Sequence, residues 1–299
     1  MSPARPCPTI DRIATVACLL ALAGCAGEGG GSGAEDAAGG SADDAPGTVG
    51  RAPTHPDSLP RAILGTAPPP RGADVAYVPG DSLTVGYLSV PEGEGPFPGL
   101  ILIHEWNGLV DRIRQMADAM AAEGYVALAA DLYRGRTGSS REESRALTRE
   151  ARSDMDRVIR NLDHAADFLR ERQDVTGRVA AMGWCFGGGI ALSYGLGGRH
   201  HEGTAIFYGS LVDDPERLAA LDHPIYGTFG ELDSGIPPEE VERFVEALRE
   251  AGVENDVHVY ENVGHGFWLR VDEDPETRRA PALDAWRRLK AYLGAVLRP

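Results

Sequence analysis

Lysine is all but missing from this chain: of 29 basic residues only Lys290 is a lysine, and the rest are arginine. Basic residues nowhere form a run, and the formal charge is −16. Such a chain repels a polyanion, which argues against nucleic acid as a partner. No apolar stretch reaches the roughly 20 residues that a membrane-spanning helix needs. Cysteine is scarce, with Cys7, Cys18, Cys25 and Cys185 as the whole set, and three of these crowd the N-terminus. That pattern excludes a disulfide scaffold. No segment repeats with a period of roughly 20–50 residues, so a solenoid or propeller is excluded as well. What remains is an ordinary globular composition over 299 residues, 42% of them hydrophobic.

The first residues have the layout of an export signal: Arg5 and Arg12, then the apolar run Ile13–Ala23. Leu22-Ala23-Gly24-Cys25 resembles the bacterial lipobox, a signal cut before its cysteine, whose thiol is then lipidated. Residues 1–24 are therefore expected to be a signal peptide, and Cys25 a lipid anchor on the periplasmic face of a cell-envelope membrane. Residues 26–50 are Gly, Ala, Ser, Asp and Glu with almost no large apolar side chain, a composition that cannot offset its ordering entropy. A tether is expected over 25–60 and one folded domain over 61–299, acting as a monomer and touching the membrane only through the lipid. Once the leader is removed and Cys25 acylated, Cys185 is the single remaining thiol, which marks it as a candidate for reactivity.

Within the domain, the pattern predicts a hairpin of Val75–Val78 and Leu83–Val90 around Gly80-Asp81. Continuous apolar runs at Gly99–His104, Tyr125–Ala129, Arg178–Met182, Ala205–Tyr208, Ile225–Phe229 and Val257–Tyr260 read as buried strands. Helical spacing covers Asp111–Glu123, Arg141–Arg172 with a break near Ser153, the stretch from Phe186, Pro237–Ala251 and Pro275–Leu297. Alternation of this kind specifies an α/β fold with a mostly parallel central sheet and helices on both faces.

The chemistry-bearing motif is Gly183-Trp184-Cys185-Phe186-Gly187, a cysteine form of the G-x-S-x-G nucleophile elbow in its required setting between a strand and a helix. The helix starting at Phe186 aims its first N–H groups at Cys185, where they favour a thiolate and a developing oxyanion. In folds with this elbow the chain order is nucleophile, acid, histidine. His265 is the candidate base because it follows the last strand. His200 and His201 read as surface residues, His223 lies at the opposite sheet end, and His258 lies inside a strand pattern. Asp233 follows the strand Ile225–Phe229, with Glu231, Asp213 and Asp214 as competitors.

These residues, with His104-Glu105-Trp106-Asn107-Gly108 and Asp131-Leu132-Tyr133, resemble the dienelactone hydrolase family of the α/β-hydrolase fold over about residues 74–297. The resemblance implies a Cys185–His265–Asp233 triad hydrolysing a small ester or lactone through an acyl-enzyme. It implies an oxyanion hole from the amides of Phe186 and Trp106, and a carboxylate, Glu105, that gates the thiol. It implies no cofactor, and the pair His104-Glu105 lacks the spacing of a zinc site. The family holds its substrate's carboxylate with two arginines. One follows the histidine by four residues, where this chain has Leu269, with Arg270 one place later. The other falls on Glu143, with Arg141, Arg145 and Arg149 nearby. The expected pocket is Tyr133, Phe267, Trp268 and Arg270, and its apolar members suggest a less charged substrate. Two other readings stay open: a tethered binding protein that keeps the fold without turnover, and an esterase or peptidase acting on envelope polymers.

Overall fold

The structure, a computed structural model, describes residues 48, 49, 55 and 58–298. The expected leader 1–24 and the anchor Cys25 lie outside the described residues. In chain order the elements are β1 (Thr48–Val49), β2 (Ala73–Val75), β3 (Gly86–Pro91), β4 (Phe97–Ile103), α1 (Asp111–Ala122), β5 (Val126–Ala130), α2 (Arg141–Arg152), α3 (Met155–Arg170), β6 (Val175–Trp184), α4 (Phe186–Gly197), β7 (Gly203–Phe207), α5 (Pro215–Leu218), β8 (Ile225–Gly230), α6 (Pro238–Glu250), β9 (Asn255–Tyr260) and α7 (Pro275–Leu297).

The sheet runs β1-β3-β5-β4-β6-β7-β8-β9, with β2 beside β3. From β5 to β9 every pairing is parallel, while β3 runs antiparallel to β5. Adjacent residues of β4 serve opposite layers, as the pleat requires. Leu100 and Leu102 pack with Ile113, Met116 and Met120 of α1 and Trp286 and Leu289 of α7. Ile101 and Ile103 pack with Leu147 of α2, Val158, Leu162 and Leu169 of α3, and Ile190 of α4. Helices thus cover both faces, and the continuous apolar runs in the sequence are strands buried on two sides.

The break expected near Ser153 is a helix boundary fixed by two caps. The Ser140 hydroxyl accepts from the Glu143 amide at 3.1 Å to start α2, and the Asp154 carboxylate accepts from Arg157 N–H at 3.0 Å to start α3. The hairpin expectation is corrected: β2 stops at Val75, pairing Ala73 with Leu88 and Val75 with Gly86. Tyr77 leaves the edge to bury its ring, its hydroxyl donating to Asn161 at 2.7 Å. Asp81 then takes the Leu83 amide (3.1 Å) and the Thr84 hydroxyl (2.9 Å) in a local turn. Packing also starts before residue 61, since Thr48 pairs with Val90 and Leu59 is buried.

Two residues expected in the pocket belong to the core instead. Trp268 is fully buried, stacked on Trp184 with ring centres 6.0 Å apart and tilted against Trp286 at 6.1 Å. Phe267 is equally buried, against Tyr260 and Tyr208. The turn after β9 points these rings inward beneath the sheet edge, between β6 and α7. Trp268→Ala is therefore expected to lower stability by about 3–5 kcal/mol in urea unfolding; a pocket-wall tryptophan would lose far less.

Candidate active site

The loops leaving the C-terminal ends of β4 to β9 meet in one cleft. β4 and β6 lie side by side although β5 intervenes in the chain, so the sheet order reverses there. Ligands of open α/β sheets bind at such a point. Glu105 and Trp106 follow β4, Cys185 follows β6, Tyr208 follows β7, Asp233 follows β8 and His265 follows β9.

Cys185 sits at φ 55°, ψ −117°, a conformation a non-glycine residue adopts only under constraint. The constraint is backbone packed on backbone. A Cβ on Gly183 would lie 2.2 Å from the Gly187 carbonyl oxygen, and one on Gly187 would lie 2.2 Å from that of Ile103. Both glycines are needed because their neighbours are main chain and cannot yield. The Cys185 amide donates to Phe207 O at 2.9 Å, fixing the turn to β7. The Phe186 amide opens α4, with no helical carbonyl one turn earlier to accept from it.

The acid and base come together through a main-chain clasp between the last two loops. Leu232 N–H donates to Val263 O at 2.9 Å, and the Asn262 amide donates to the Glu231 carboxylate at 2.9 Å. Glu231, a competitor for the acid, thus fastens the histidine loop. The other competitors are spent elsewhere: Asp213 pairs with Arg243, and Asp214 caps α5. His265 Nδ1–H donates to Asp233 Oδ2 at 2.6 Å, while Asp233 Oδ1 accepts from the Gly235 amide at 2.9 Å. The Cys185 side chain lies beside the ring, and both line the cavity. Burial alone would push His265 down, but the Asp233 carboxylate and the neighbouring Cys185 outweigh it, raising the ring from 6.5 to about 10. Asp233 is desolvated yet held below the usual carboxylate range by His265. The protonated ring lies between the Asp233 carboxylate and the Cys185 sulfur.

The remaining expected residues take other places. Glu105 is buried, and both its oxygens accept from Arg270, at 2.9 and 2.8 Å. Arg270 is thus taken up by Glu105 and does not line the cavity. Tyr133 is buried behind Phe186, its hydroxyl donating to Trp106 O at 3.1 Å, so it braces the loop after β4 from outside the pocket. His104 is buried and kept neutral by desolvation; it accepts from the Leu132 amide at 3.3 Å and tethers the Asp131-Leu132-Tyr133 segment to β4. His201, read as a surface residue, is buried between Tyr194 and His223 at the other end of the sheet.

A cavity of about 950 Å³ opens over Cys185, lined among others by Trp106, Phe186, Tyr208, Ile236 and His265. Its far wall is α2, which contributes Arg141, Arg145, Arg149 and Arg152 together with the carboxylate Glu142 and Thr148. None of the four arginines makes an ion pair with another described residue; Arg141 lies over the Trp106 ring and Arg152 over the Phe186 ring. The wall that faces Cys185 is thus more charged than the apolar pocket expected from Phe267 and Trp268. Sequence reasoning passed over Arg152 and Tyr208. The arginines do fall at helical spacing, and Tyr208 stands at φ 40°, edge-on to His265 with ring centres 5.0 Å apart.

A family model described as "Dienelactone hydrolase family" matches residues 85–297. Among curated proteins, one of Methylorubrum extorquens with the provisional name carboxymethylenebutenolidase is 32% identical, over 71% of this chain and 77% of its own. One of Escherichia coli O157:H7 with the same provisional name is 29% identical, over 74% and 90%. The crystal structure of a protein from Klebsiella pneumoniae, described provisionally as a dienelactone hydrolase, superposes with a TM-score of 0.62. It is 26% identical, over 71% of this chain and 92% of that one.

Two outcomes check this geometry. Folding raises the His265 pKa from 6.5 to about 10, so the stabilisation it brings is complete below 6.5 and is lost as pH rises through 10. NMR titration of the His265 ring should show it protonated at neutral pH in the wild type, with a midpoint shifted downward in Asp233→Asn. Arg270→Gln strands a buried carboxylate and should cost about 2 kcal/mol, seen as a melting temperature lower by about 4–8 °C.

Proposed function

The chain belongs to the dienelactone hydrolase family, and from that membership we propose that it cleaves an ester or lactone through a Cys185–His265–Asp233 triad and an acyl-enzyme. The observation that carries this reading is that Cys185 and His265 line one cavity while Asp233, buried behind, accepts from His265 Nδ1–H at 2.6 Å.

The steps follow from the atoms in place. The Cys185 sulfur attacks the substrate carbonyl carbon, a C–S bond forms, and the carbonyl electron pair moves onto oxygen. The amides of Phe186 and Trp106 receive that oxyanion, aided by the N-terminal dipole of α4. The intermediate collapses with cleavage of the C–O bond, and the His265 imidazolium gives its proton to the leaving oxygen. The neutral imidazole then takes a proton from water, whose oxygen attacks the thioester carbonyl. The sulfur leaves as thiolate and His265 is again protonated. Asp233 holds one ring orientation and balances the imidazolium throughout. Glu105 is the gate of this thiol: bound to Arg270 it leaves the sulfur to His265, and released from Arg270 it would compete for it.

The arginine wall of α2 supports a substrate carrying negative charge. Arg270 is not part of that wall, because Glu105 occupies it. The same reading makes the protein an exported lipoprotein, tethered through Cys25 with the cleft free to meet small molecules outside the membrane.

Hydrolysis of p-nitrophenyl acetate tests the triad. Cys185→Ala should lose at least about 10³-fold in kcat/KM, and Asp233→Asn should lose most of the activity through kcat. Equal rates for wild type and Cys185→Ala would contradict the reading. For the charged wall, Arg145→Ala/Arg149→Ala should weaken kcat/KM for a carboxylate-bearing aryl ester about tenfold relative to its neutral counterpart.

A further inference from the structure

Beyond the catalytic cavity lies a second pocket of about 350 Å³, lined by Arg152, Met155, Phe186, Gly189, Ile190, Leu192, Ser193, Ser210, Leu211 and Val212. Three of its residues, Arg152, Phe186 and Ser210, also line the catalytic cavity, so the two spaces adjoin across the Phe186 ring. We infer that this pocket is an acyl-chain subsite, which extends the hydrolase reading above, on which it rests, to esters with a linear apolar acyl group.

The character of the wall supports a hydrocarbon occupant. Met155 comes from the first turn of α3, Ile190 and Leu192 from α4, and Leu211 and Val212 from the loop after β7. Of the two hydroxyls in the wall, Ser193 donates to the Gly189 carbonyl at 2.9 Å and so asks nothing of a ligand, while Ser210 stands at the junction with the catalytic cavity. Arg152 stands at the junction with its guanidinium 5.7 Å above the Phe186 ring, so the charge marks the mouth of the groove and the wall beyond it is apolar. Opposed apolar walls left apart by their own elements gain by taking a CH₂ chain out of water.

The position favours the acyl side of the substrate. The carbonyl carbon joined to Cys185 stays beside the α4 N-terminus, with its oxygen on the Phe186 amide, after the leaving group departs. The groove wall is the next turn of that same helix, Gly189 to Ser193. A substituent on the retained carbonyl therefore starts at Phe186 and runs into the groove, while the departing oxygen faces His265. The arginine wall and the apolar groove then divide the substrate between a charged end and a hydrocarbon end.

A series of p-nitrophenyl acetate, butyrate, hexanoate and octanoate tests this on the full chain. The Cys185-dependent kcat/KM should rise by up to about fourfold for each CH₂ that enters the groove, then level off once it is full. Val212→Trp, which fills the pocket from the partly exposed loop, should flatten the hexanoate-to-acetate ratio, and Met155→Trp should do so from the opposite wall. A flat series in wild type, or a slope unchanged in both tryptophan variants, overturns the subsite. Should no ester be hydrolysed faster by wild type than by Cys185→Ala, the hydrolase reading falls on its own. The groove is then judged by calorimetry with octanoate. Binding to wild type that is lost in Val212→Trp upholds it, and no binding to wild type overturns it.

Discussion

The turn at Cys185 is held by main chain pressed against main chain, and the rest of the site is arranged around it. Gly187 lies so close to the β4 carbonyls of Ile103 and His104 that no side chain fits, and Gly188 stands similarly against Phe207 O of β7. Three neighbouring strands thus fix one strained residue. The sulfur is lifted off the end of β6, the first amide of α4 is left without a helical acceptor, and the loop after β4 is brought alongside. Because the clamp is made of backbone, it does not depend on any side chain choosing a rotamer.

Charge in the cleft is arranged by pairing. The Asp233 carboxylate meets the His265 imidazolium, and the imidazolium meets the sulfur. Glu105, buried next to Trp106 in the loop after β4, is balanced by both hydrogen bonds of Arg270. Burial makes each pairing consequential, since an unpartnered charge here would be costly. The α2 arginines of the cavity wall make no ion pair with a described residue, and Glu142 is the carboxylate beside them. On the proposed reading they are the cations that would meet a negatively charged substrate.

The strands, the helices and the places of Cys185, Asp233 and His265 at strand ends were legible because each is written locally. Buried parallel strands are continuous apolar runs, and Cys185, Asp233 and His265 each sit just past one of them. The pocket was not legible in the same way. Whether Trp268 faces the cleft or the core depends on Trp184 and Trp286, distant in the chain, which claim its ring. Arg270 follows the histidine as a clamp would, yet it answers to Glu105 after β4. The arginines of α2 were visible as residues, but their side of the helix is fixed by Leu147 and Ala151 packing into the core, which turns the opposite wall toward Cys185. Tyr77 was misplaced for a similar reason, since its partner Asn161 lies in α3. What escaped the sequence in each case was a contact between elements far apart in it.

The most direct test of the central claim is to quench the protein during turnover of p-nitrophenyl acetate and measure its mass. An acetyl increment on the peptide containing Cys185, present in wild type, released by neutral hydroxylamine as a thioester is, and absent in Cys185→Ala, is the predicted result. Continued hydrolysis with no covalent adduct on Cys185 at any time point, or an adduct on another residue that turns over at the steady-state rate, would contradict it.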